Sequence, residues 1–330
     1  MKTRITGQLN RGLEFIRRRT ENKFVRHHEQ TPQQAAEGTA PKPTKTAEKH
    51  PAESEEHTSP FNPKGKLYAA TYGPMGMPPW GSNSEARKPE KNKEGAVTDL
   101  LKLAKDYANT VKKWGVTKRE VVPVVNVTVN YPGRMKRENI RQSEWEALER
   151  LVERAAKEGT TVMIDLYVGK GDPVALTANY VDHFVPMGPH VWIDIDWEHC
   201  KERNETNMIE SALCYFRKRA ELGYDEPGVF GGYVFASADI TLAGQVGKGL
   251  EALEPQEYDR QAGVFVPLFD GYGNRKLKYK RTQYLRRTMG TDHPYGIMEF
   301  VSRWENKYDK GLEPKEYLRA FPHTLLLIRQ

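Results

Sequence analysis

Three carboxylates recur at every second position in the stretch His190–Cys200, HVWIDIDWEHC. They are Asp194, Asp196 and Glu198, with Ile193, Ile195 and Trp197 between them. In an extended strand successive side chains point to opposite faces, so the three acids share one face, each about 6.5–7 Å from the next. The β-branched and aromatic residues on the other face mark the run as a strand. On a water-exposed edge such acids are merely solvated. Inside an α/β sheet or barrel they are like charges in poorly hydrated space, which raises pKa values and costs stability. Sites for proton transfer use that arrangement, and a buried structural network can share it.

The flanking sequence decides which setting applies. From Lys66 onward, strand-like and helix-like patterns alternate. Strands are expected at 67–73, 121–129, 161–169, 191–198, 229–236, 264–271, 296–302 and 324–329. Helical spacing of apolar residues is expected at 96–114, 143–159, 173–185, 207–222, 240–254, 279–289 and 314–321. Ser143 and Glu146 suggest a cap for the second of these helices. Eight strands alternating with helices have the rhythm of an α/β protein of the (β/α)8 TIM barrel class. A doubly wound open sheet is the competitor, but the first turn, YGPMGMPPWG, lacks the G-x-G-x-x-G of a dinucleotide-binding unit. The last strand ends the chain, so the expected barrel lacks a C-terminal eighth helix, and an N-terminal helix or a partner is expected to fill that gap.

The chain has three expected parts. Residues 1–26 read as a basic amphipathic helix, with Ile5, Leu9, Leu13 and Ile16 at helical spacing. Residues 27–66 are rich in Pro, Glu, Lys, Thr and Ser with one large apolar residue, Phe61, the composition of a disordered linker. Residues 67–330 form the barrel. Of the net charge of +7, residues 1–26 carry +6, with eight basic residues against two acidic ones. The excess therefore points to an anionic surface or a protein partner for the arm, weakened by salt. It gives no specific nucleic-acid site, since no basic stripe with interleaved aromatics follows. Cys200 and Cys214 show no metal-ligand spacing, so no cofactor or metal is expected. No run approaches the roughly 20 apolar residues of a transmembrane span. The N-terminus shows no secretory signal pattern, which favours a cytoplasmic or virion-associated place over conventional secretion.

In a barrel of this class the chemistry sits at the carboxyl ends of the strands. VWIDIDWE at 191–198 resembles the fourth-strand signature of the family 18 glycoside hydrolases, the chitinase-like barrels, written D-x-x-D-x-D-x-E. Asp194, Asp196 and Glu198 match, while Val191 and Trp192 replace the first Asp and the Gly. The resemblance implies Glu198 as general acid and Asp196 as the group that orients an N-acetyl nucleophile of the substrate. It also implies that Asp194 shares a proton with Asp196. It implies hydrolysis of an N-acetylhexosamine polymer such as chitin or peptidoglycan. The sixth strand carries Phe269-Asp270 where that family has Tyr-Asp, so Tyr272 would have to supply the hydroxyl. TLLLIRQ lacks the family's Trp floor, leaving Trp304 or Trp80 to serve from loops. A looser likeness, to uncharacterised bacterial barrel lipoproteins, rests on Asp196 and Glu198, the Asp165 strand and the Asp270–Gly273 segment. It implies a fold and no activity.

Candidate site residues are thus Glu198, Asp196 and Asp194 for catalysis. Asp165, Asp270, Tyr272, Tyr72 and Trp304 are the candidates for holding the sugar. Two other functions stay open: a carbohydrate-binding barrel without turnover, and a virion or envelope structural protein anchored by its basic arm.

Overall fold

The computed structural model describes residues 65–72, 93–115, 117–130, 137–169, 171–197, 200–226, 228–234, 237–253, 263–270, 283–290, 293–300, 318 and 323–329. The expected N-terminal helix, the linker up to residue 64, and all of the 314–321 helix except Leu318 lie outside them.

Eight parallel strands carry the fold. They are β1 (Leu67–Tyr72), β2 (Val121–Val129), β3 (Thr161–Tyr167), β4 (Val191–Asp196), β5 (Gly228–Val234), β6 (Gly263–Asp270), β7 (Tyr295–Phe300) and β8 (Thr324–Arg329). Each pairs with its neighbour in sequence, and β8 pairs back onto β1 to close the sheet. Helices follow most strands: α1 (Lys93–Lys113), α2 (Arg137–Lys157), α3 (Pro173–Phe184), α4 (Glu205–Glu221), α5 (Ser237–Glu251) and α6 (283–289). The result is a TIM-barrel-like α/β fold.

Local chemistry sets the helix starts. Asp172 caps α3 by accepting from the amides of Val174 and Ala175 at 2.9 and 3.3 Å, with Pro173 in the first turn where its missing N–H is harmless. Asn204 caps α4 through the Asn207 amide at 2.9 Å. The second helix departs from expectation. It begins at Arg137, so Ser143 lies inside it and not at its N-cap position. The six residues ahead of Ser143, RENIRQ, contain no Gly or Pro to stop helix growth, and propensity extends the helix back through them.

Strand alternation divides the apolar residues between two layers. Val125, Val127 and Val129 of β2, Ile164 and Leu166 of β3, and Ile193, Ile195 and Trp197 around β4 are all buried on the outer face. They pack in one cluster with Leu148, Leu151, Phe184, Met208 and Leu213 of the helices. The residues between them point inward. Ala70, Val124, Met163, Trp192, Val229, Val266, Leu325 and Leu327 fill the barrel interior, with the Tyr68 and Trp192 rings 4.8 Å apart. At the carboxyl ends of β2, β3 and β4 this inner series becomes polar: Asn126, Thr128, Asp165, Asp194 and Asp196, every one buried.

The amino end of β4 is clamped by Arg219 of α4, which has no exposed surface. Its guanidinium donates to the carbonyl of Pro189 at 2.9 Å and to that of Glu226, and lies 5.1 Å from the Tyr224 ring centroid. Tyr215, one turn earlier, donates to the Val191 carbonyl at 2.8 Å. Gly228 makes room for both, since a Cβ there would sit 2.3 Å from the Tyr215 hydroxyl and 2.4 Å from Arg219 Nε. Among the described residues no helix is long and apolar enough to cross a membrane.

Candidate functional site

Parallel pairing puts residues in register on the same face, and that fixes which acids meet. Thr128 of β2 stands beside Asp165 of β3, Asp165 beside Asp194 of β4, and Asp194 beside Gly231 of β5. Asp196 lies two residues further along β4, beside Tyr233. The relative exposures of Asp165, Asp194 and Asp196 are 1%, 1% and 2%. The acidic face is therefore the inner face of the barrel near its carboxyl end, and the solvated-edge alternative is excluded.

Asp165 and Asp194 each have one hydrogen-bonded oxygen. Thr128 Oγ1 donates to Asp165 Oδ2 at 2.6 Å. Asn126 Nδ2 donates to Asp194 Oδ2 at 3.4 Å, a long bond. The second oxygens, Asp165 Oδ1 and Asp194 Oδ1, are buried without a partner, as is Asn126 Oδ1. Burial, then the charges of Asp194 and Asp196, hold the Asp165 carboxyl well above the usual carboxylate range, against the pull of the Thr128 hydrogen bond. Burial also pushes Asp194 up to about 7; the Asn126 hydrogen bond opposes this and the Asp196 charge adds to it.

Space for Asp194 comes from Gly231. A Cβ at that position would fall 2.4 Å from Asp194 Cβ and 2.7 Å from Leu268 Cδ1, closer than side chains pack. Gly231→Ala is expected to displace Asp194 and to cost about 1–3 kcal/mol of stability, read as a lower midpoint in urea unfolding. An unchanged midpoint would show that β5 yields at no cost.

The segment beyond β4 is tied down on three sides. The Trp197 amide donates to the Tyr233 carbonyl at 3.1 Å, and the Lys201 amide to the Gly169 carbonyl at 3.1 Å. Arg203 pairs with the buried Asp239 at the start of α5 at 3.0 Å. Glu198 and His199, between these anchors in the chain, lie outside the described residues. So do Tyr272 and Trp304. Tyr72 ends β1 and Asp270 ends β6, and both are described in their backbone only.

The structure thus brings together Asp165, Asp194 and Asp196, and adds Asn126, Thr128 and Gly231, which the sequence reading passed over. A signal for the first two was present: in VVPVVNVTV, Asn126 and Thr128 interrupt an apolar strand at the same two-residue spacing as the acids of β4. Gly231 gave no such signal, because its neighbour is set by strand register. Among the described residues no group of three His, Cys, Asp or Glu side chains is arranged to hold a metal ion. A separate groove of about 490 Å3 opens on the outer wall between α2 and α3, lined by Trp145, Tyr180 and His183 among others, and Asp165, Asp194 and Asp196 do not line it.

No protein-family model matches the chain. No curated protein matches it either. Among solved structures it is similar to an oxaloacetate acetylhydrolase in complex with the product oxalate. The identity is 12% and the TM-score 0.39, with 68% of this chain and 71% of that one covered. It is also similar to a mannanase of Bacillus subtilis, at 12% identity and a TM-score of 0.30, covering 80% of this chain and 78% of that one.

Proposed function

We propose that this chain is a glycoside hydrolase that cleaves an N-acetylhexosamine-containing polysaccharide of the chitin or peptidoglycan type. The observation that carries the reading is the row of buried carboxylates, Asp165, Asp194 and Asp196, on the inner face at the carboxyl ends of β3 and β4. Burying three carboxylates on one inner face costs stability, and such a cost is characteristic of sites that handle protons.

In this reading Glu198 delivers a proton to the glycosidic oxygen as the bond to the anomeric carbon breaks. The acetamide oxygen of the same sugar forms the new bond to that carbon, and the Asp196 carboxylate holds the acetamide in place and stabilises the positive charge of the cyclised group. Water then attacks the anomeric carbon, giving its proton to the Glu198 carboxylate as the bond from that carbon to the acetamide oxygen breaks and the acetamide is restored. Asp270, Tyr272, Tyr72 and Trp304 are the proposed sugar contacts, and residues 1–26 a proposed attachment to an anionic surface or protein. Phe269 and the absence of Trp from TLLLIRQ favour a second reading, a barrel that binds such sugars without turnover.

A turnover assay on a panel of N-acetylated oligosaccharides separates the two. Hydrolysis by the wild-type chain, lowered at least ~10-fold by Asp196→Asn with sugar binding retained, is the expected outcome. Binding without hydrolysis selects the second reading, and the absence of both removes the sugar altogether.

A further inference from the structure

Each of the two laterally adjacent acids has one oxygen accounted for. Thr128 occupies Oδ2 of Asp165 at 2.6 Å, and Asn126 approaches Oδ2 of Asp194 at 3.4 Å. The remaining oxygens, one from each acid, are buried and have no hydrogen-bond partner among the described residues. Their residues are paired in register across β3 and β4. Two ionised carboxylates in that position would leave two acceptors side by side with no donor, the costliest arrangement a buried polar pair can take.

The four strands beside the pair carry no cation, and across the barrel Arg329 of β8 lies in register beside Tyr72 of β1. β2, β3, β4 and β5 contain no Lys, Arg or His. From β2 the pair meets Asn126 and Thr128, neither of which titrates. From β4 it feels the charge of Asp196, and from β5 it meets Gly231, which has no side chain. The other titratable groups on these strands are Tyr167 at the end of β3 and Tyr233 beside Asp196. A single proton between the two orphan oxygens satisfies both.

We propose that Asp165 is the positioning residue of the acid cluster, its carboxyl carrying on Oδ1 a proton that it donates to Oδ1 of Asp194, so that the pair holds one negative charge. Each acid has one donor and both feel the charge of Asp196, but burial first, and then the charges of Asp194 and Asp196, hold Asp165 well above the usual carboxylate range, and this places the proton on Asp165. The partner that fixes Asp194 is then the lateral neighbour on β3. Asp196, a two-residue step of about 6.5–7 Å along the same strand, acts on the pair through its charge. Only the consequence for turnover rests on the proposed function; the shared proton does not.

The test is infrared spectroscopy of the full chain at pH 7, with aspartate labelled at its side-chain carboxyl with carbon-13 so that glutamates do not contribute. A protonated aspartate carboxyl band is expected in wild type and is expected to vanish in Asp165→Asn, whose amide can donate to Asp194 and accept from Thr128. Stability gives a second readout. An unfolded Asp loses its proton near pH ~3.9, while the folded pair keeps one to higher pH. The native state therefore binds more protons in between, and wild-type stability is full below pH ~4 and falls as pH rises through the folded values. Asp165→Asn should flatten that fall and raise the thermal midpoint at pH 7 by roughly 3–8 °C. In the sugar assay Asp165→Asn should turn over faster than Asp165→Ala, because only the amide can still donate to Asp194. Absence of the band from wild type, its persistence in Asp165→Asn, or a midpoint lowered at pH 7 by that substitution overturns the proposal. If the band and the midpoint behave as expected while no sugar is hydrolysed, the proton sharing stands and the proposed function fails.

Discussion

Glu198→Gln is expected to lower hydrolysis of N-acetylated oligosaccharides by at least ~10² while the thermal unfolding curve and sugar binding stay in place. The substitution keeps the volume and the hydrogen-bonding shape of the side chain and removes only the deliverable proton. Two-residue alternation along IDIDWE is the sequence pattern from which Glu198 is expected on the face of Asp194 and Asp196. Trp197, the residue before it in sequence, is fully buried and its amide donates to the Tyr233 carbonyl, while the Lys201 amide donates to the Gly169 carbonyl. A Gln variant as active as wild type would remove Glu198 from the chemistry. If Asp196→Asn were inactive at the same time, the proton donor would have to be sought among the other acids of the mouth.

Arg219→Met should be the most damaging single change in the described barrel, costing about 3–5 kcal/mol and lowering the thermal midpoint by roughly 8–15 °C. Met replaces the stem and some of the volume, so packing is largely kept. What disappears is a charged donor serving the carbonyls of Pro189 and Glu226 together, and its stacking against Tyr215 and Tyr224. Those two carbonyls flank the entries to β4 and β5, so leaving them unsatisfied loosens the strand that carries the acids. Arg219→Lys is not expected to rescue the loss, because one ammonium cannot reproduce the planar fork. A midpoint within 2–3 °C of wild type in both variants would show that water replaces the guanidinium at little cost.

The period of the side chains along a strand is a local property, and the chain reveals it without help. Asp194 and Asp196 were legible as sharing one face because two-residue alternation needs only the strand itself. The eight strands were legible for the same reason, as was the polar turn of the inner series in the acids of β4. Lateral neighbours are a different matter. That Asp165 stands beside Asp194, with Thr128 and Gly231 on either side, follows from the register of four strands separated by helices. A shift of one residue in any of them would turn these side chains to the other face. In sequence, Asp194 has its nearest carboxylate in Asp196, and that pairing was the natural reading. The closed sheet instead gives it Asp165 as a lateral neighbour, 29 positions earlier in the chain. Arg219 likewise looks like any helical arginine near a C-terminus. Only the packing of α4 against the β4 and β5 entries buries it completely. Sequence alone thus determined which residues share a face, because that depends on backbone geometry within one strand. Tertiary structure decided which of them touch, because contact across strands is fixed by register and barrel closure, which no single segment encodes.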